Sequence, residues 1–286
     1  MVRKHIEKIP VRREDSHKGD YGRIFVVAGS PGMTGAAFLC SEGALRTGSG
    51  LVTCGIAESL NPVMEVKLTE VMTLPLTETQ SHALGLAAEK EILKFAKKCD
   101  VAVVGPGLGS DPETKPLVKI LVQQIESPIV LDADGINGLE GDIDVLKDRS
   151  ARLVLTPHPG EMSKLIGKDV SEIQSMREDI AKSVAEVTGA VVCLKGHRTV
   201  VASPEGEVYV NETGNSGMAT GGMGDILTGM IASFIGQGVD DFGSCVIAVN
   251  LHGLAGDIAA EKKGQFNMVA TNVLEYLPEA FKRAGI

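Results

Sequence analysis

The stretch Asn211-Glu212-Thr213-Gly214-Asn215-Ser216-Gly217-Met218-Ala219-Thr220-Gly221-Gly222-Met223-Gly224-Asp225 holds the residue types best suited to chemistry in this chain. Five glycines fall between Gly214 and Gly224, and helical patterning starts at once behind them. Glycine admits positive φ and close ligand approach. A helix start presents free N–H groups and the positive end of its dipole. Together these make an anion site of the kind that holds phosphate, so glycine is expected at 221, 222 and 224 because a side chain would occupy phosphate space. Asp225 stands apart, since a carboxylate beside phosphate is unfavourable unless it has a task there. It either caps the helix, as Asp often does, or accepts a substrate proton. The glycines just upstream favour the base.

Four more clusters combine turn residues with polar groups: Gly105-Pro106-Gly107-Leu108-Gly109, Asp132-Ala133-Asp134-Gly135-Ile136-Asn137, Thr156-Pro157-His158-Pro159-Gly160-Glu161 and Lys195-Gly196-His197-Arg198-Thr199. Singly, each has an ordinary reading. The glycine triplet fits a βα turn, His158 is held rigidly between prolines, Glu161 suits a helix's first turn, and Lys195–Thr199 fits a turn into a hairpin. Neither the dinucleotide G-x-G-x-x-G nor a Walker G-x-x-x-x-G-K-[ST] is present.

The elements around them decide whether the clusters meet. Apolar runs at Ile24–Ala28, Leu51–Ala57, Val71–Leu76, Val101–Gly105, Ile129–Asp132, Arg152–Thr156 and Ala190–Lys195 read as strands. Helical patterning separates them over Thr34–Thr47, Ser59–Leu68, Leu86–Lys98, Glu113–Glu126 and one long helix, Ser171–Thr188, opened by Ser171 with Gln174 three residues on. That alternation predicts a mostly parallel sheet with helices on both faces. Two β-rich runs in Thr199–Val210 flank Ser203-Pro204-Glu205-Gly206, a hairpin signal at a sheet edge. Three helices, about Asp225–Ile235, Asp241–Lys263 and Thr271–Arg283, close the chain. No repeat or linker interrupts residues 1–286, which read as one α/β domain. Ligands of such sheets bind beyond the strands' carboxyl ends, where every unusual loop falls, so all should open on one crevice.

Composition narrows the partners. A net charge of −9, no Trp and three Tyr oppose nucleic acid, which needs basic and stacking surface. The basic residues Arg3, Lys4, Lys8, Arg12 and Arg13 read as a solvated face. Cys40, Cys54, Cys99, Cys193 and Cys245 lie far apart in apolar surroundings without metal or CxxC spacing, as reduced thiols of a cytoplasmic protein do. MVRKHIEKIP lacks a signal-peptide core, and the apolar stretches look too short for a membrane span.

The stretches His17-Lys18-Gly19-Asp20-Tyr21-Gly22, Gly32-Met33-Thr34-Gly35-Ala36-Ala37, Gly105–Gly109, Leu131-Asp132-Ala133-Asp134, Thr156–Glu161, Leu194-Lys195-Gly196 and Gly221-Gly222-Met223-Gly224-Asp225 occur in one order. Together they resemble the ADP/ATP-dependent NAD(P)H-hydrate dehydratase family of the ribokinase-like superfamily, in its stand-alone form without an epimerase domain. The resemblance implies a three-layer ribokinase-like sandwich and ADP- or ATP-dependent dehydration of the S epimer of NAD(P)H hydrate. It implies Asp225 as catalytic base facing the substrate hydroxyl. Gly221, Gly222 and Gly224 would bind the transferring phosphate, and Lys195, Gly196, His197, Arg198 and Thr199 would line the adenine-nucleotide site. Ala37, Gly107 and His158 would contact the hydrated nicotinamide nucleotide. Related kinases organise Mg²⁺ with an Asn-x-x-Glu motif; here His158 replaces the Asn and Glu161 keeps the Glu, which would hold Mg²⁺ through water. A homotetramer and a separate epimerase partner are implied as well. Two alternatives remain: a small-molecule kinase for a hydroxymethylpyrimidine- or thiazole-type alcohol, and a nucleotide-binding regulator without turnover.

Overall fold

A computed structural model describes residues 1–286. The apolar runs form nine strands: β1 (Arg23–Val27), β2 (Leu51–Ala57), β3 (Met72–Leu76), β4 (Val101–Val104), β5 (Ile129–Leu131), β6 (Leu153–Leu155), β7 (Val191–Leu194), β8 (Val200–Ala202) and β9 (Val208–Val210). They build one sheet in the order β3-β2-β1-β4-β5-β6-β7-β8-β9. From β3 to β7 every pairing is parallel, and β8 and β9 add an antiparallel hairpin at the edge, as Ser203–Gly206 predicts.

Helices α1 (Val2–Ile6), α2 (Thr34–Arg46), α3 (Asn61–Lys67), α4 (Glu89–Ala96), α5 (Thr114–Gln124) and α6 (Asp134–Asn137) occupy the first half. Helices α7 (Pro159–Ile166), α8 (Val170–Ser175), α9 (Arg177–Thr188), α10 (Met223–Gly236), α11 (Asp241–Lys263) and α12 (Ala270–Ala284) follow. Side chains alternate faces along a strand. Ile24 and Val26 of β1 therefore join a core of 44 buried residues under α2, α10, α11 and α12. Phe25 and Val27 join a second core, of 36 residues, under α4, α5, α7, α8 and α9. Both faces are covered, which is why the strands are apolar throughout. The sandwich has three layers.

Two expectations need correction. Ser171–Thr188 is not one helix: α8 ends at Ser175, and Met176, at φ −129°, ψ 38°, separates it from α9. The first piece packs on α7 and the second on β7 and β8. Arg177 fixes the new start by donating to the Leu194 and Lys195 carbonyls at the end of β7. Nor are all apolar stretches short, because α11 has the length and composition of a membrane span. Its most apolar window is 83 % buried inside the protein, and it is a core helix here.

Candidate active site

Helix α10 is buried nearly all round from Ile226 to Ile235, so only its first turn opens outward. Its cap position is Gly222, at φ 91°, and no side chain caps it. Asp225, the third helical residue, is thus not the cap. Gly222 is required for a different reason from the one expected. A Cβ there would lie 2.4 Å from Leu39 Cδ1, inside the fold rather than in ligand space. At Gly221 a Cβ would meet nothing within 4 Å, and at Gly224 it would face Lys195 Nζ at 3.2 Å.

The glycine loop before α10 is pinned from behind by α11. Asp257 accepts the Gly214 N–H at 2.9 Å and the Asn215 amide at 2.9 Å. Thr213 donates to the Asn250 carbonyl at 2.9 Å, and Asn215 caps the turn by accepting the Gly217 N–H. Buried backbone without partners is unfavourable, so Asp257 is what lets a glycine-rich segment hold one shape.

Neighbouring parallel strands each deliver a site residue at their carboxyl end: Gly105 after β4, Asp132 after β5, Thr156 after β6 and Lys195 after β7. Asp132, only 1 % exposed, is the hub. Its Oδ1 accepts from Lys195 Nζ at 2.5 Å and Thr156 Oγ1 at 2.8 Å; its Oδ2 accepts from Thr228 Oγ1 of α10 at 2.8 Å. Glu161 lies 3.8 Å from the same ammonium. His158 and Glu161 form a reciprocal capping box at the start of α7. His158 Nδ1 accepts the Gly160 and Glu161 N–H groups, while Glu161 Oε2 accepts the His158 N–H at 2.7 Å. The proton therefore sits on Nε2, 3.2 Å from Glu161 Oε1. Glu161 is the first-turn acid that its position suggested, and it belongs to the charged cluster too.

Electrostatics follow from three carboxylates, Asp132, Glu161 and Asp225, around one ammonium. Burial, then repulsion from Asp132, raises the Asp225 carboxyl to about 6, although Lys195 opposes the shift. Glu161 rises to about 7, chiefly through burial, against the pull of Lys195. Burial disfavours the Lys195 ammonium, but Asp132 and Glu161 more than offset it and its pKa is raised. His158 is lowered by partial burial and then by Lys195, which keeps its ring neutral. Excess negative charge beside a phosphate-type anion site suits a hard divalent cation, which prefers carboxylate and water oxygens. No three His, Cys, Asp or Glu side chains gather on one metal position, so these residues would offer Mg²⁺ single carboxylates alongside its own waters rather than an all-protein cage.

A cleft of about 760 Å³ opens at this point, lined by His158, Lys195, Gly196, His197, Arg198, Thr199 and Gly224 among others. The structure thus brings the Lys195–Thr199 segment, His158 and the first turn of α10 together. Gly221, Gly222, Asp225 and Glu161 border the cleft without being part of its lining, and the Gly105–Gly109 and Asp132–Asn137 loops do not open on it, contrary to the expectation of one shared crevice. Ala37 and Gly107 are buried and outside the lining as well. They lie toward α2: a Cβ on Gly107 would meet Met33 and Ala36, and Cys40, one turn beyond Ala37, feels the Asp225 charge. Sequence reasoning missed Asp132 and Asp257 as site residues, and also His252. His252, 7 % exposed, lines the cleft with an unpartnered Nε2.

A three-layer fold with its charged site at the carboxyl ends of parallel strands and at one helix start is ribokinase-like. The chain belongs to the NAD(P)H-hydrate dehydratase family, whose model matches residues 24–279. It is 46 % identical over 95 % of its length to the bifunctional NAD(P)H-hydrate repair enzyme of Moorella thermoacetica, of which it covers 51 %. The chain spans about half the length of the first such relatives it matches. It is 39 % identical to the ADP-dependent (S)-NAD(P)H-hydrate dehydratase of Neisseria meningitidis, over 88 % of this chain and 82 % of that one. Among solved structures, it matches the ADP/ATP-dependent NAD(P)H-hydrate dehydratase of Bacillus subtilis, co-crystallised with ATP and Mg²⁺. There the TM-score is 0.83 and the identity 31 %, covering 99 % of this chain and 97 % of that one.

Proposed function

We propose that this protein dehydrates the S epimer of NAD(P)H hydrate at the expense of ADP or ATP, restoring NAD(P)H. The observation that carries the reading is Asp225: a partly buried carboxylate that caps nothing, on the open turn of α10, in a chain of this family. The substrate's ring hydroxyl is a poor leaving group. Asp225 accepts its proton as the oxygen attacks the terminal phosphorus, whose bond to the bridging oxygen breaks and releases AMP or ADP. The oxygen then leaves as inorganic phosphate as the ring nitrogen's lone pair moves in, and the neighbouring ring carbon gives up a proton to restore the double bond. N–H groups at Gly221, Gly222 and Gly224 receive the phosphoryl oxygens, with Lys195 supplying fixed positive charge beside Gly224. Lys195–Thr199 line the adenine-nucleotide part of the cleft, and His158, on the same lining, contacts the nicotinamide nucleotide; Ala37 and Gly107, both buried on the α2 side, would back that part of the site rather than face it. Glu161 would hold Mg²⁺ through water, and the ion would neutralise phosphate charge when bound.

The reading extends to a homotetramer in the cytoplasm, with epimerisation of the hydrate supplied outside these 286 residues. The test is a coupled absorbance and product assay. Purified protein is expected to restore the near-ultraviolet absorbance of NADH or NADPH from the hydrate only with ADP or ATP and Mg²⁺. Turnover without nucleotide would overturn the proposal, as would a stable phosphorylated alcohol, which marks a kinase. Nucleotide binding without any turnover would mark a regulator.

A further inference from the structure

The Asp132–Lys195 pair is a buried ion pair, and such pairs are weak evidence for stability, since apolar residues of similar volume often serve as well. Three features make this one more than core filler. All of the Asp132 side chain's partners come from elements that carry the site: Lys195 after β7, Thr156 after β6 and Thr228 on α10. Thr228 lies three residues after Asp225, on the same helix face, so its bond to Asp132 fixes the rotation at which α10 presents the base. Ala133, directly after Asp132, sits at φ 48°, ψ −118°, a conformation L residues rarely adopt. That strained turn sends Asp132 inward while Asp134 accepts the Gly109 N–H at 2.8 Å.

The position of Lys195 gives the device its purpose. Its ammonium stands under the first turn of α10, with Asp132 at 2.5 Å and Glu161 at 3.8 Å. Without Asp132, the ammonium's remaining attractions are Glu161 and Asp225. Collapse onto either would neutralise a group that the reaction needs charged.

Resting on the proposed dehydratase reading, we infer that Asp132 is a positioning residue. It holds Lys195 beneath the phosphate site and, through Thr228, sets the helix that presents Asp225. It touches neither substrate nor nucleotide and acts through Lys195 and α10.

The test is a mutant cycle read on kcat, on ADP affinity by calorimetry and on Tm. Asp132→Asn is expected to lower kcat by about 10²-fold, with ADP Kd within about threefold of wild type and the fold intact. In a Lys195→Ala background, Asp132→Asn should cost far less, because residues acting as a unit are non-additive. An Asp132→Asn enzyme with undiminished kcat, or equal losses in both backgrounds, overturns the inference. A parallel loss of kcat, ADP affinity and Tm assigns Asp132 a merely structural role and overturns it too. Should Asp132→Asn fail to fold, Thr228→Val carries the test: kcat falls with ADP Kd unchanged, and unchanged kcat is the overturning result. The wild-type assay separates two failures. No wild-type turnover defeats the dehydratase reading, whereas wild-type turnover with an undiminished variant defeats this inference alone.

Discussion

Asp225 is held where its charge destabilises the folded chain at neutral pH, and this separates its two readings by experiment. Its folded pKa of about 6 exceeds the ordinary 3.8, so the native state holds that proton more tightly than the unfolded one. Stability contributed by this group is then greatest at low pH and declines as pH rises from about 4 to about 6. Asp225→Asn removes the penalty while keeping the shape. The variant is expected to have a higher Tm than wild type above pH 6, a difference that shrinks through the window and is gone below 3.8. Its kcat should fall by about 10²–10⁴-fold, the usual worth of a general base. ADP affinity should hold or rise as a negative charge leaves the anion site. Wild-type kcat in this variant would end the base assignment, and an unchanged Tm at pH 8 would contradict the buried-charge account. The acid limb of the wild-type kcat/KM profile, which reports the free enzyme, should fall near pH 6, where Asp225 takes up its proton.

At the scale of the element, the glycine loop and α10 show what the sequence made legible. Apolar runs separated by helical periods revealed the parallel sheet, because a strand buried on both faces must be apolar throughout. The loops at the carboxyl ends were equally visible, since their turn residues are local signals. The break at Met176 was not: no proline or glycine marks it, and its cause, the Arg177 contacts with the end of β7, is tertiary. Asp132 stood inside a recognised motif, yet nothing local to β5 reveals that Lys195, 63 residues on, and Thr228, 96 residues on, converge there. Gly222 was seen but misread, its need for glycine being conformational as well as steric. The two glycines should therefore respond differently. Gly222→Ala is expected to lower stability by about 1–2 kcal/mol from its positive φ alone, with more from contact with Leu39. Gly221→Val, entering open space, should leave Tm unchanged and weaken ADP binding about tenfold or more, since a lost charge-assisted bond and a blocked site each cost on that order. Calorimetry with Gly221→Val decides the matter: wild-type ADP affinity there would mean that the phosphate lies elsewhere.

At the scale of the whole molecule, the cleft joins pieces that are remote in the chain. The β7–β8 turn at Lys195–Thr199, the loop pinned by Asp257 and the first turn of α10 all line it. These elements hang from different parts of the sandwich: β7 sits beside the edge hairpin, while α10 and α11 share the larger core. A nucleotide spanning them binds only the assembled fold, so its binding energy becomes folding stability. At free ADP a hundredfold above its Kd, linkage adds about 2.7 kcal/mol. For a chain of this size that corresponds to a rise in Tm of about 5 °C or somewhat more. The shift should grow with the logarithm of ADP concentration and increase when Mg²⁺ is present. The protein's net charge of −9 works against an anionic ligand, so a shift that survives added salt points to the local N–H contacts rather than to the overall field. A thermal scan across ADP concentrations checks all of this, and a flat Tm up to saturating nucleotide would remove the cleft from consideration as the adenine-nucleotide site.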